Sequence, residues 1–222
     1  MKKIFILLFS ISLSLCNAQL IRVNGVESIL AVDNDEFDLS KLSKEDIRKI
    51  KLKKYLTKGF KPASVGQNKA VFYLRYNLYA DQMEFVKDEQ VYFMKKNEND
   101  KVTFRTLNKT YVCKTLNGKL SYFLLNLESD KIGLATKQSV KYIKAQKAKT
   151  NYDQDKSADY KRQKDQYYFI VSNELFKVPK KKKDFMAFFN SRNKDVKKYV
   201  KSNKLNYKKI NDIKKILIFI NE

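Results

Sequence analysis

"TYVCKTLNGKLSYFLLNL", residues 110–127, is the stretch that sets the fold class of this 222-residue chain. Asn117 and Gly118 tolerate the positive φ angles of a type I′ turn, so the flanking stretches are predicted to form an antiparallel hairpin. The turn fixes the register, with Cys113 expected opposite Tyr122. The returning strand is apolar on both faces, which predicts a place in the interior of the sheet or under a covering layer.

The same period of two extends from residue 69 to about residue 179, and further hairpin turns are predicted at 87–89, 108–109 and 173–174. Consecutive strands with tight turns favour an antiparallel β meander, whether as an open sheet, a half-barrel or a sandwich. Residues 145–166 have no apolar period, and we expect a mobile excursion or a functional lid there.

Helices are expected at both ends of this β region, which makes the fold class α+β. Residues 43–59 predict a helix that begins at the N-cap Ser43 and ends at Gly59. Apolar stripes within 185–189, 196–200 and 210–220 predict three short basic helices that pack together or against the sheet.

The first eighteen residues have the basic start, apolar core and small-residue end of a secretory signal. Cleavage is expected after Ala18, and lipidation at Cys16 is the weaker alternative because Leu15 is not small. The apolar run at 4–15 falls short of the roughly 20 residues that a spanning helix needs. We therefore expect a signal peptide at 1–18, a mainly antiparallel β domain at 19–179 and a helical appendage at 180–222, with no transmembrane segment after cleavage. The exported protein would be periplasmic, outer-membrane-associated or secreted.

The sequence contains no histidine, which excludes Ser/His/Asp and Cys/His nucleophilic sites and histidine zinc sites. It also contains no Gly-rich phosphate loop, and Cys113 has no histidine to activate it, so a buried inert thiol is expected. No cofactor, no metal site and no catalytic residue is predicted.

The positive charge is concentrated toward the C-terminus. The formal net charge is +23, and residues 141–222 hold 23 Lys and Arg against nine Asp and Glu. In the cytoplasm such a surface would suggest nucleic acid, but an exported protein meets lipid head groups, acidic glycans and extracellular DNA. Solubility alone is also a sufficient reason for a charge excess.

Candidate binding residues come from residues 72–85, "FYLRYNLYADQMEF", which predict one long strand. Its core face is expected to carry Phe72, Leu74, Tyr76, Leu78 and Ala80. A change of phase at Met83 and Phe85 predicts a bulge or bend near Asp81 and Gln82. The predicted binding residues are those on the outer face and at the bend: Tyr73, Arg75, Tyr79 and Asp81.

The segments "LRYNLYADQMEF", "YYFIVSNELFKVPKKKKDFMAFF" and "KKYVKSNKLNYKKINDIKKIL" carry a resemblance that covers the chain from about Gly59 to its end. It resembles a group of signal-bearing, Lys-rich proteins found widely in Bacteroidetes bacteria. The resemblance implies a location in the envelope of a Gram-negative cell, and it carries over no functional residues and no substrate.

Two main classes of function are compatible with these observations. The first is a noncatalytic envelope protein, an interaction or ligand-binding module whose partner is an envelope protein, a glycan or a lipid. The second is an enzyme acting on glycans through carboxylates, with Asp81 and Glu84 the nearest pair, or through Tyr or Lys. Extracellular polyanion or nucleic-acid binding through the basic tail is a weaker third hypothesis. The sequence does not determine the oligomeric state.

Overall fold

The computed structural model of the protein describes residues 20–23, 26–30, 43–68, 70–148, 150, 152–189 and 195–222. The predicted signal peptide, its cleavage site and Cys16 lie outside the described residues and stay predictions.

The described chain forms fourteen strands, four α-helices and one short 3₁₀ helix at Arg105–Leu107. The strands are β1 Leu20–Val23, β2 Val26–Leu30, β3 Lys61–Val65, β4 Phe72–Asn77, β5 Gln82–Lys87, β6 Gln90–Met94, β7 Lys101–Phe104, β8 Lys109–Leu116, β9 Lys119–Leu127, β10 Gly133–Lys137, β11 Val140–Ile143, β12 Asp159–Arg162, β13 Gln166–Val171 and β14 Glu174–Lys177. The helices are α1 Lys44–Leu52, α2 Lys182–Ala187, α3 Val196–Ser202 and α4 Ile210–Asn221.

Twelve strands make one antiparallel sheet in the order β1-β2-β6-β5-β4-β3-β7-β8-β9-β10-β13-β14, while β11 and β12 form a separate two-stranded ribbon. The sheet is open, with β1 and β14 at its edges, so the predicted α+β class with an open antiparallel sheet is confirmed. The order departs from simple succession where the chain returns to place β7 beside β3, where β2 pairs with β6, and where the ribbon is inserted between β10 and β13.

The predicted central hairpin is confirmed in detail. Asn117 and Gly118 have φ angles of 50° and 75°, and Cys113 pairs with Tyr122. Strand β9 lies between β8 and β10 and has apolar residues on both faces. On one face Tyr122 joins the large core cluster that contains Tyr76, and on the other Phe123 packs in a smaller cluster.

The three C-terminal helices are also confirmed. Phe185 of α2 and the buried side of α4, which includes Ile213 and Leu217, form one apolar cluster with Leu134 of β10 and Phe169 of β13. The helices thus pack against the sheet as well as against each other. The domain boundary at residue 180 stays a prediction. No helix in the described part of the chain is long and apolar enough to cross a membrane.

Helix α1 begins as predicted but ends early. The Ser43 hydroxyl accepts a hydrogen bond from the backbone N–H of Asp46 at 3.1 Å, as an N-cap does. The helix ends at Leu52 instead of Gly59, because the backbone then bonds to the end of β4. The Leu56 N–H donates to the carbonyl of Tyr76 at 2.9 Å, and the Leu78 N–H donates to that of Lys54 at 2.8 Å.

The expectation of one long strand at 72–85 is wrong. The chain reverses between β4 and β5, with Asp81 at φ 56°, so the predicted bend is the turn of a hairpin. Phe72, Leu74, Tyr76 and Leu78 are buried as expected, whereas Ala80 lies in the turn and is exposed.

The segment 145–166 contains regular structure that the sequence pattern did not predict. Strand β12 pairs with β11, and the backbones of Gln146 and Lys156 exchange two hydrogen bonds of 2.8 Å. The apolar pattern of the sequence does not reveal β12 because Tyr160 is its only large apolar residue and the strand pairs with one neighbour only.

We expect the glycine at position 118 to stabilise the central hairpin. Gly118→Ala should lower the free energy of unfolding by about 1–2 kcal/mol, because a Cβ atom strains the left-handed backbone conformation. Urea denaturation measures the change. Gly59→Ala is the matched control, since Gly59 is not left-handed and an added Cβ meets nothing within 4 Å. Equal losses in both variants would contradict this role.

Candidate functional site

Tyr73 and Tyr79 are the two predicted site residues that remain at the surface, with exposures of 66% and 45%. The Tyr79 ring packs edge-to-face on Tyr160, with 5.1 Å between the ring centres. Tyr73 lies on the outer face of β4, opposite Pro62 of β3.

Arg75 belongs to a closed network in the sheet instead of an open recognition surface. Its Nη2 donates to Oε2 of Glu84 at 2.7 Å, and the Nδ2 of Asn77 donates to the other Glu84 oxygen at 2.7 Å. The guanidinium carbon lies 3.6 Å from the ring centre of Tyr55 and 4.5 Å from that of Phe60. Glu84 is therefore held by two donors, and Arg75 is covered by two rings.

Asp81 forms a second charged network, which joins the β4–β5 turn to the middle of the sheet. Its Oδ1 accepts from the Tyr76 hydroxyl at 2.5 Å and lies 2.7 Å from Nζ of Lys137. Its Oδ2 lies 3.1 Å from Nζ of Lys96. The three charged side chains are only 12–20% exposed. One carboxylate thus serves two ammonium groups, and both lysines also donate to backbone carbonyls of β9.

Burial dominates the ionisation of this region. It lowers the pKa of Lys137, although the Asp81 carboxylate acts in the opposite direction. Burial raises the pKa of Tyr76 well above its ordinary value, and Asp81 raises it further. Burial also raises the pKa of the Cys113 thiol to about 12. A thiol with this pKa is protonated at neutral pH, which agrees with the predicted inert cysteine.

A cleft of about 850 Å³ lies where the end of the ribbon, strands β13 and β14 and the loop before α4 meet. We call it the basic cleft, and its basic and aromatic lining consists of Lys164, Lys177, Lys180, Lys208, Tyr167 and Tyr207. Within the described residues no carboxylate forms an ion pair with any of these lysines. The one acidic residue of the lining, Asp165, lies 3.4 Å from the guanidinium of Arg162.

The sequence did not single out the residues of the basic cleft. They come from four separate parts of the chain, and only the concentration of positive charge after residue 141 pointed to this region. None of the four predicted site residues lines the cleft.

A smaller recess of about 380 Å³ lies between β8 and the β13–β14 turn and is lined by Val112, Lys114 and Asn173 among others. The Lys114 ammonium donates to Asn99 Oδ1 at 2.5 Å and to the side-chain and backbone oxygens of Asn173. These acceptors use the three donors of the ammonium, so Lys114 fixes the β13–β14 turn over β8.

Among the described residues, no group of three or more His, Cys, Asp or Glu side chains is placed to hold a metal ion. No protein-family model, curated protein or solved structure matches this chain. The geometry and charge of the residues are therefore what indicate a function.

Removing the charge of Asp81 should destabilise the fold. Asp81→Asn tolerates the left-handed backbone but leaves two ammonium groups without their carboxylate, and we expect a loss of about 3 kcal/mol in the free energy of unfolding. Asp88→Asn is the control, because Asp88 also has a positive φ of 49° but its side chain is 83% exposed. The control should change the stability by less than about 0.5 kcal/mol in the same denaturation assay. A loss no larger than that in Asp81→Asn would show that this network does not hold the turn.

The buried tyrosines should make the protein less stable at alkaline pH. Burial raises the pKa of Tyr76, Tyr111 and Tyr122, so above about pH 10 the unfolded chain loses protons that the folded chain keeps. Their contribution is complete below pH 10 and decreases as the pH rises toward the folded-state values. The lowered pKa values of Lys114 and Lys137 act in the opposite direction, but through two groups against three. Tyrosinate absorbance should show these hydroxyls ionising only when circular dichroism reports unfolding. Full tyrosine ionisation in a chain that is still folded would contradict the prediction.

Proposed function

We propose that this protein is a noncatalytic, exported envelope protein that binds an anionic ligand in the basic cleft. The observation that carries the proposal is the group of four cleft lysines with no carboxylate partner in the described structure. The proposal is consistent with the export and the envelope location expected from the sequence.

The basic residues of the cleft differ from those of the interior networks in whether they have carboxylate partners. Arg75, Lys96 and Lys137 already have carboxylate partners, so an incoming anion would have to break an ion pair to reach them. Lys177 and Lys180 are exposed and have no carboxylate partner in the described part of the chain, so an anion can approach them without breaking an ion pair. Electrostatic attraction of this kind speeds association and selects the sign of the ligand's charge.

The volume and the uncharged lining of the cleft favour an organic anion. The cleft falls within the usual range of about 300–1,000 Å³ for ligand sites. The half-buried rings of Tyr167 and Tyr207 offer apolar surface, and Gln163 and Gln166 offer donors and acceptors. An anion that also carries a ring and hydroxyl groups would use all three kinds of contact.

The alternative of an enzyme using Asp81 and Glu84 has less support. The two carboxylates lie in separate networks, each held by basic or amide side chains, and neither lines the cleft. A carboxylate pair for glycoside hydrolysis needs both groups to face one substrate.

The test compares binding of polygalacturonate, an acidic polysaccharide, with binding of the neutral polysaccharide dextran. The triple variant Lys177→Gln/Lys180→Gln/Lys208→Gln should bind polygalacturonate about tenfold more weakly than the unmodified protein, since three exposed ion pairs at about 0.5 kcal/mol each are lost. Dextran should bind to neither. Titration calorimetry at fixed ionic strength gives both affinities.

The matched control is Lys197→Gln/Lys198→Gln/Lys201→Gln, which removes the same charge from exposed positions of α3 outside the cleft lining. It should retain affinity within about twofold. Equal losses in the two triple variants would mean that net charge alone attracts the polysaccharide, and the proposed site would be wrong. Formation of new reducing ends during incubation would contradict the noncatalytic part of the proposal.

A further inference from the structure

The basic surface does not end at the cleft but continues onto the outer face of the β11–β12 ribbon. The Gln163 N–H donates to the carbonyl of Ser139 at 2.9 Å, which extends the ribbon register by one pair into the cleft lining. The register next pairs Val140 with Arg162 and then Lys141 with Lys161. Because side chains alternate along a strand, Lys141 and Lys161 share a face with the Ser139–Gln163 pair, about 7 Å farther along.

This face points away from the core. Val140 and Tyr160 lie on the other face of the ribbon, and both are buried in the large apolar cluster. Lys141 and Lys161 are exposed. The orientation of the ribbon is therefore set by packing on its inner face, and the two lysines are left free to meet a ligand.

Lys141 and Lys161 are direct cross-strand neighbours of the same charge. Such a pair has its Cβ atoms about 5 Å apart and disfavours the strand pairing. No ion pair in the described part of the chain compensates either lysine. The next pair on this face is Ile143 and Asp159, and the Asp159 carboxylate forms an ion pair with Lys53 at 2.7 Å. These residues define a basic track, which runs from the cleft lysines past Ser139 and Gln163 to Lys141 and Lys161 and ends there.

Resting on the proposed function, we infer that the ligand of the basic cleft is an acidic polysaccharide whose chain passes over Ser139 and Gln163 and places further anionic groups on Lys141 and Lys161. A small anion would contact only the lysines of the cleft and would not reach Lys141 and Lys161 on the ribbon. A polymer with repeated carboxylate or sulfate groups neutralises both sets of lysines at once, which raises its affinity through linked contacts.

The surroundings of the track favour a polysaccharide over single-stranded nucleic acid. Proteins that bind single strands without sequence preference stack successive bases on exposed aromatic rings. Tyr142 and Tyr160 are on the inner face of the ribbon and pack on each other, with 5.5 Å between ring centres. The outer face offers ammonium groups and the polar Ser139 and Gln163, which suit anionic sugars with hydroxyl groups.

The test measures the affinity of a galacturonate dimer and of a long galacturonate chain by fluorescence anisotropy. Lys141→Gln/Lys161→Gln should weaken binding of the long chain about fivefold, since two exposed ion pairs are lost, and leave the dimer unchanged. Lys197→Gln/Lys198→Gln removes the same charge from α3 and should leave both affinities within about twofold. The thermal midpoint of the ribbon variant should be equal to or above that of the unmodified protein, because a like-charge pair is removed.

The outcomes separate this inference from the proposed function. If the ribbon variant binds the long chain normally while the Lys177/Lys180/Lys208 variant binds it poorly, the proposed binding in the cleft is supported. The proposed extension of the ligand onto the ribbon is then wrong. If the cleft variant binds both ligands normally, the proposed function itself is wrong. Tighter binding of single-stranded DNA than of a galacturonate chain with the same number of charges would overturn the assignment to a polysaccharide.

Discussion

The structure depends on burying both faces of the β8–β9 hairpin. Tyr122 and Phe123 are adjacent in β9 and point in opposite directions, and each is 1% exposed or less. A sheet with two apolar faces has to be covered on both sides. One side is covered where the sheet brings Tyr76 of β4 against Tyr122, with ring centres 5.8 Å apart. The other is covered by the β13–β14 hairpin, whose turn is fixed over β8 by Lys114.

Two classes of basic residue follow from this arrangement. Lysines and arginines that the covering layers enclose, such as Arg75 and Lys137, lie against carboxylates and carbonyls, because a buried charge without partners is costly. Basic residues of the last third of the chain, such as Lys177 and Lys180, are exposed and line a cleft. The first class stabilises the fold, and the second is available for an anionic partner. A formal net charge of +23 therefore does not describe a uniform surface.

Much of the fold could be predicted because its signals are local. The Asn117–Gly118 turn, the N-cap at Ser43 and the apolar stripes of the three C-terminal helices depend on neighbours in sequence. The errors occur where distant contacts decide. Helix α1 stops at Leu52 because β4 offers hydrogen bonds to the following residues, and β12 forms because β11 lies beside it. Of the predicted binding residues, Arg75 and Asp81 are enclosed by partners from other strands, which no local pattern reveals.

The sequence by itself determined the fold class, the central hairpin and its register, the absence of histidine chemistry and the location of the excess positive charge. These follow from residue types, turn conformations and periodicities that act over a few neighbours. Only the tertiary structure decided which charges are compensated and which are not, because ion pairing depends on groups far apart in the chain. It also brought the ribbon, two strands and the loop before α4 together around one cleft. The residues with the clearest pattern, Tyr73 to Asp81, serve mainly to build the sheet, whereas lysines with no pattern of their own acquire a shared surface through folding.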